Sequence, residues 1–419
     1  MTAPDTIDLF AGPGGWSVAA AALGLRELGI ELDPWACATR AAAGHLTVRA
    51  DVATLPTTRM RNKIKRLIGS PPCGTFSAAG KGEGVGDLPL LHQALDDLAA
   101  GYNTIDRLTT ACSDPRTPLV VQPLRYALDL RPEWVTLEQV PAVLPLWQHI
   151  VRILRGRGYS GWAGVLNAAD YGVPQTRRRA ILIASRIREV APPEPTHAQV
   201  PEEATLFGPA RIRWVSMAEA LGWDTARVVN TRGARTTPGG NEFPVDQPSW
   251  ALTEKARSWT VDVRASSYQR GYERTLDRPS PTLMGQTYKW MLRNNTQANS
   301  SARTLDEPAG TLFFGARGND VSWVAGRPAT TLAATGRVAK AGHRDREGGE
   351  RQFEDAVRIT IEEASVLQSF RPDYPWQGPK TRKFLQIGNA VPPLLALHVL
   401  AAATGIDPAD APNPSSVHT

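Results

Sequence analysis

A chain of 419 residues, 42% of them hydrophobic, can bury a substantial core and divide into two domains, which excludes a disordered or fibrous protein. A formal net charge of +6 and a pI near 9.3 favour an anionic partner such as nucleic acid without specifying one. The three cysteines, Cys37, Cys73 and Cys112, form no CxxC pair and no zinc-type grouping with histidine, so neither a disulfide framework nor a metal site is expected.

The opening MTAPDTIDLF lacks the basic and apolar regions of a signal peptide, and no apolar run reaches the ~18 residues of a membrane span. The expected setting is a reducing cytoplasm. From residue 6 strand and helix signals alternate: TIDLF reads as a strand, GWSVAAAALGLRELG as a helix, IELD as a strand and PWACATRAAAG as a helix. Such alternation predicts an α/β domain on a parallel sheet with helices on its faces. KRLIGS then leads a strand into a Pro-Pro-Cys turn. PLVVQPLRYALDLRPEWVTLEQV supplies a helix and a strand ending near Glu138, and GWAGVLNAADYGVPQTRRRAILIAS supplies two strands joined by a loop.

The proline-rich, aperiodic VAPPEPTHAQVPEE sets a domain boundary near residue 195. Roughly residues 210–350 are rich in Gly, Pro, Thr, Arg and Trp, and repeat a turn-plus-strand unit about every 30 residues: DQPSWALT, DRPSPTLM, DEPAGTLF and a degenerate GRPATTLA. A plain stack of scaffolding β-turns accounts for any one of them. Helical periodicity returns after 355 in TIEEASVLQSF and, past NAVPP, in LLALHVLAAAT, where two prolines suit a helix's first turn. The tail, 406–419, reads as disordered.

Candidate chemistry collects at strand ends. DLFAGPGGWS joins a strand to a helix through glycines that let backbone approach a ligand closely. Glu31, with Asp33 as second choice, closes the next strand, where an acidic side chain takes a ribose diol. Asp51 closes the third and is placed to reach an adenine amino group. With no Walker-type loop, this edge suits an adenosine-like cofactor. A lone cysteine is usually a small buried hydrophobe. Cys73, however, follows Pro71 and Pro72 at a strand's carboxyl end, the ligand edge of α/β sheets, and GTFSAAGKGEGVG after it offers hinges for a closing loop. Glu138 ends another strand; its bland reading is an exposed carboxylate. In QTRRR, strand alternation puts Arg177 and Arg179 on one side and Arg178 on the other, so the pair can meet a phosphate and a carbonyl together.

The ordered set DLFAGPGG, ELD, GSPPCGTFS, LEQV, QTRRR and QIGNAVPP resembles the DNA (cytosine-5)-methyltransferases over roughly residues 5–190 and 355–403. That resemblance implies a Rossmann-like S-adenosylmethionine-dependent methyltransferase domain at 1–195 and a smaller, irregular, β-rich target-recognition domain at 196–354. It further implies a return to the catalytic domain at 355–405 with the last helix near the first strand, a DNA cleft between the domains, S-adenosyl-L-methionine as cofactor, and double-stranded DNA as the partner of a monomer. By the same resemblance Cys73 is the nucleophile on C6 of a flipped cytosine, Glu138 pairs with N3, Arg179 holds O2, and Arg177 serves a phosphate or orients Glu138. Phe10, Ala11, Gly12, Gly14 and Gly15 fall at the cofactor's methionine end, Glu31 and Leu32 at its ribose, and Asp51 and Val52 at its adenine. Pro71, Asn389, Ala390 and Val391 complete that site, and Ser77, Lys81, Arg232, Arg264 and Arg293 are candidate DNA contacts.

Four departures stand out: Gly74 where the family commonly has Gln, Gln139 for Asn, Ser70 for a second Gly, and a long stretch after the cysteine loop, GDLPLLHQALDDLAAGYNTIDRLTTACSDPRT. Two rival readings keep the fold: a non-catalytic DNA-binding homologue, and a tRNA cytosine-5 methyltransferase. The large recognition-like insert favours duplex DNA over tRNA.

Overall fold

The computed structural model describes residues 3–76, 83–206, 208–222, 247–252 and 360–416, and the strand backbones at 227–230, 242–244, 260–263, 290–294, 303–304, 321–325 and 357–358. The chain divides into two units, Met1–Thr225 with Val245–Arg257 and Ile359–Thr419, and Ala226–Pro244 with Ser258–Arg358.

The first unit is built on a seven-stranded sheet. Its strands are β1 (Thr6–Leu9), β2 (Glu27–Glu31), β3 (Thr47–Arg49), β4 (Arg66–Gly69), β5 (Trp134–Gln139), β6 (Ser160–Asn167) and β8 (Arg178–Ser185), in the order β3-β2-β1-β4-β5-β8-β6, with the short β7 (Gln175–Thr176) just before β8. β1 to β5 run parallel, but β8 is antiparallel to both its neighbours, a departure from the all-parallel expectation. The link from β6 to β8 is too short for the crossover that a parallel pair needs, so the chain turns back on itself.

Adjacent residues of one strand feed opposite layers, as the period of two requires. Leu67 and Leu182 join a core with α4 (Leu88–Ala99), α6 (Gln122–Leu130) and α7 (Leu144–Arg155), whereas Ile68, Ile181 and Ile183 join a second with α1 (Gly15–Ala22) and the C-terminal helix. Burial on both faces explains why AILIAS is an unbroken apolar run. α2 (Pro34–Ala42), α3 (Glu83–Gly86) and α5 (Ile105–Ala111) complete the N-terminal helices. α1 is shorter than its sequence signal: Gly24, at φ +69°, ends it, and ELG becomes the start of β2.

Residues 196–225, expected in the second domain, stay with the first unit. There β9 (His197–Ala198) pairs with β10 (Ile212–Arg213), Trp214 donates its indole N–H to Asp170 at 2.9 Å, and α8 (Met217–Leu221) follows. The first Pro-Thr repeat also belongs here, because β13 (Ser249–Trp250) pairs with β7. The second unit is β-rich: β11 (Arg227–Asn230), β12 (Glu242–Pro244), β14 (Thr260–Val263) and β18 (Val357–Arg358) form one sheet, and β15 (Trp290–Asn294), β16 (Arg303–Thr304) and β17 (Val321–Ala325) another. The repeats at 277, 306 and 326 lie outside the described residues.

The C-terminal segment forms α9 (Ile361–Leu367), opened by a Thr360–Glu363 capping box, then α10 (Lys380–Asn389) and α11 (Pro393–Thr404). Contrary to the sequence reading, Lys380–Thr404 is long and apolar enough to match a membrane span by composition, but 78% of its most apolar window is buried inside the fold. α11 packs on α1, β5 and β8. In the tail the Ser415 hydroxyl donates to the Ser369 carbonyl at 3.0 Å and Pro408–Asp410 form a short 3-10 turn, so the expected disorder does not hold for its described residues, 406–416.

Candidate active site

β1 delivers the chain to a turn at the carboxyl edge of the sheet. Phe10, at φ +59°, occupies the left-handed region without being glycine, a strain of roughly 1–3 kcal/mol that clusters at functional sites. Ala11 N–H donates to the Ile30 carbonyl at 3.1 Å, and Gly12 N–H donates to Glu31 Oε2 at 2.8 Å. A side chain on Gly12 would meet nothing within 4 Å, so space lies open over the turn. Gly14 and Gly15 answer to other neighbours: a Cβ on Gly14 would meet His45 and Tyr374, and one on Gly15 would strike the Val391 carbonyl. The C-terminal NAV segment therefore closes directly on the start of α1.

Glu31 ends β2 with its other carboxylate oxygen accepting from Leu32 N–H and Asp33 N–H, each at 2.7 Å. Leu32 is exposed beside it. Asp33 is the N-cap of α2, accepting from Trp35 and Ala36, which explains its acidity without a ligand. Past β3, Asp51 accepts from Ala53 N–H at 2.9 Å, and buried Val52 offers its carbonyl to the Tyr126 hydroxyl at 3.0 Å. An open glycine turn flanked by carboxylates at the ends of successive strands suits the donors of an adenosine and the backbone of an amino acid.

The neighbouring strand ends carry the candidate reactive groups. After β4, Ser70 accepts the Trp16 indole N–H at 2.8 Å, so the residue that replaces glycine ties α1 to the Pro-Pro-Cys turn. Pro71 is buried, and its carbonyl accepts from Gln139 Nε2 at 2.8 Å, while Gln139 Oε1 accepts from Val140 N–H at 2.6 Å. The longer amide of the EQV sequence thus clamps the end of β5 to the cysteine turn. Cys73 is half-buried at the rim of the main core. Burial, and then the Glu138 charge, push its thiol above the ordinary range, while Arg179 and Arg177 pull it back. Glu138 is buried at the end of β5 and pairs with Arg179, Nε to Oε1, at 3.0 Å.

Arg177 does not share the exposure of a phosphate ligand. It is 2% exposed and donates from Nη1 to the Gly388 carbonyl at 2.8 Å, and its Nε has no hydrogen-bond partner among the described residues. Burial and the like charge of Arg179 push it down to about 9, against the pull of Glu138 and Cys73. The phosphate role expected for it is corrected: Arg177 faces inward and ties the β7–β8 segment to α10. Asn389 is exposed at the end of α10, and the buried Ala390 carbonyl accepts from Gln368 at 2.6 Å. Ser77, Lys81, Arg232 and Arg264 lie outside the described residues, and Arg293 sits on β15 opposite Ser322.

Several contributors carried no signature that sequence reasoning used. Gln175 is fully buried, donating to the Leu367 carbonyl at 3.2 Å and Gln368 Oε1 at 2.6 Å and accepting from Leu252 N–H at 3.1 Å. Tyr374 donates its hydroxyl to the Pro13 carbonyl at 2.7 Å. Arg40, buried in the alanine-rich α2, is the clearest signal overlooked: a cation amid PWACATRAA needs a buried partner.

The sequence matches the family described as C-5 cytosine-specific DNA methylase over residues 5–90 and 105–404. It is 25% identical over 416 residues to the Type II methyltransferase M1.HphI of Haemophilus parahaemolyticus, covering 94% of this chain and 85% of that protein. It is 27% identical over 427 residues to the Type II methyltransferase M.XorII of Xanthomonas oryzae pv. oryzae, covering 94% and 83%. Among solved structures, the S. pombe Dnmt2 methyltransferase shares the fold at a TM-score of 0.50 and 14% identity, covering 96% of this chain and 98% of that one. With motifs, fold and family in agreement, the chain belongs to the C-5 cytosine-specific DNA methylases, which transfer a methyl group from S-adenosyl-L-methionine to C5 of cytosine in DNA.

Proposed function

We propose that this enzyme methylates one cytosine within a recurring duplex sequence, as a monomer, and that Cys73 is the nucleophile that makes C5 reactive. The observation that carries this reading is the convergence of Cys73 with the buried Glu138–Arg179 pair at adjoining strand ends. C5 of cytosine is a weak nucleophile. Addition of the Cys73 thiolate to C6 converts C4–C5 into an enamine whose C5 attacks an electrophile. The Glu138 carboxyl group meets protonated N3 as charge builds there, and Arg179, aligned by Glu138, donates to O2. Loss of the C5 proton then expels Cys73 by β-elimination and restores the aromatic ring. A base in the stack cannot reach these groups, so the cytosine is flipped out of the duplex.

S-adenosylmethionine, when bound, supplies the electrophilic methyl. The residues toward it are the turn Phe10, Ala11, Gly12, Gly14 and Gly15, with Glu31 and Leu32 at the ribose, Asp51 and Val52 at the adenine, and Pro71 with Asn389, Ala390 and Val391 closing the site. Open space over Gly12, and a Glu31 carboxylate already oriented by three backbone N–H groups, support that assignment. The relatives named Type II methyltransferases span over nine-tenths of this chain, which supports a modification role with sequence choice made in the second unit. Bisulfite sequencing of DNA from cells expressing the protein tests the proposal. Conversion-resistant cytosines should recur at one sequence and vanish in Cys73→Ala; an absence of resistant cytosines in cells holding folded wild-type enzyme would refute it.

A further inference from the structure

Arg40 is 0% exposed, yet it spends every donor it has on the framework of the cofactor turn. Nη1 donates to Ser17 Oγ at 2.7 Å and to the Ala11 carbonyl at 3.4 Å, and Nε donates to Thr47 Oγ1 at 2.9 Å. Nη2 donates to Glu27 Oε1 and Oε2 at 2.9 and 3.2 Å and to the Leu46 carbonyl at 3.1 Å. One guanidinium thus joins the turn after β1, the first turn of α1, β2 and the entry to β3.

The surroundings are shaped for that cation. A Cβ on Gly29 would stand inside the guanidinium, so the glycine in β2 is the space that Arg40 occupies. Glu27 is 4% exposed at its side chain and balances the charge. Asp8, on β1 two residues before Phe10, is also fully buried, with neither carboxylate oxygen hydrogen-bonded among the described residues. Burial and then the Glu27 charge push Asp8 well above the ordinary carboxylate range against the pull of Arg40, and burial raises Glu27 as well, so Arg40 is the cation shared by two buried carboxyl groups beneath the turn.

We infer that Arg40 is a positioning residue for S-adenosylmethionine: without touching the cofactor, it holds the Ala11 carbonyl and Ser17 so that Gly12 and Glu31 face the bound molecule. The inference rests on the assignment of the 10–15 turn and Glu31 to that cofactor. Arg40→Lys keeps a charge for Glu27 but lacks the fork that spans Ala11, Ser17 and Thr47. Gly29→Ala leaves Arg40 in the sequence and pushes its guanidinium aside.

The test is calorimetric titration of S-adenosylmethionine into the full-length wild-type, Arg40→Lys, Gly29→Ala and Glu31→Ala proteins, with thermal unfolding of each and single-turnover rates at saturating cofactor. Arg40→Lys and Gly29→Ala should each raise the cofactor Kd about tenfold, the weight of one charge-assisted hydrogen bond, and leave the saturated rate near wild type. Unchanged Kd in either folded variant, with only a lower Tm, makes Arg40 structural and overturns the inference, as does failure of both to fold. Glu31→Ala separates the two levels: if it alone weakens binding, the Arg40 inference fails, and if it does not weaken binding, the assignment of the turn fails first.

Discussion

At Cys73 two opposing effects meet. Burial and Glu138 favour the thiol, whereas the two arginines favour the thiolate. Because the thiol is raised overall, the thiolate is the minor form at neutral pH, and the rate of adduct formation should climb roughly tenfold per pH unit up to the thiol's own pKa. Arg179→Gln should move that rise to higher pH; a profile that stays in place would detach Arg179 from the nucleophile. Cys73→Ser should lose turnover almost entirely and keep DNA affinity, read by single-turnover methylation and a gel-shift titration, since a neutral hydroxyl is a far weaker nucleophile. The residues proposed to react stood out in the sequence because each combines a reactive type with a strand end. The substitutions around them were not, since their meaning is a partner distant in sequence: Ser70 for Trp16, and Gln139 for Pro71. Among the described residues Gly74 has no comparable partner. It is exposed, its backbone demands no glycine, and a side chain there meets nothing within 4 Å, so Gly74→Gln should fold with stability within about 0.5 kcal/mol of wild type.

At the scale of elements, the site is held by contacts that join the two ends of the chain. Val391 closes on Gly15, Tyr374 on Pro13, Arg177 on Gly388, and Gln175 on Leu367 and Gln368. Gln175→Leu would strand the Leu252 N–H and the Gln368 amide, at a cost of roughly 1–3 kcal/mol per buried group, measurable by urea unfolding. His45 lies against the same turn, and burial with the nearby Arg40 and Arg371 charges lowers it to about 3. The unfolded chain therefore takes up a proton at pH 6 to 4 that the native state refuses, so stability falls as pH falls from about 6.5 towards 3. His45→Gln should flatten that loss by up to about 1.4 kcal/mol per pH unit, and parallel wild-type and variant curves would contradict the assignment. The order of strands and helices in the first unit was readable from the alternation of apolar strand and amphipathic helix signals, clearest at the central strands β1, β4 and β5, which are buried on both faces. The reversal of β8 was not, as strand direction depends on the length of a connection and leaves no trace in AILIAS itself.

For the whole molecule, a basic excess of +6 suits attraction to DNA phosphates, contacts that position a protein without reading sequence. DNA affinity should fall by at least about a hundredfold between roughly 50 and 200 mM salt, through counterion release, and a flat response would argue against a phosphate-dominated interface. The proline-rich boundary near 195 proved a surface excursion within the first unit, since β9 and β10 and the first repeat return to it. Aperiodic sequence marks the absence of regular structure, not the end of a domain. The central claim, a covalent bond from Cys73 to C6 of the target base, is tested most directly with a randomised duplex in which 5-fluorocytosine replaces cytosine, incubated with enzyme and S-adenosylmethionine. Fluorine in place of the C5 proton blocks the final elimination, so the wild-type protein should form an adduct stable in denaturing gels whose mass maps to the peptide containing Cys73. Ordinary DNA methylated by the same preparation with no such adduct, or an adduct that survives in Cys73→Ser, would contradict it.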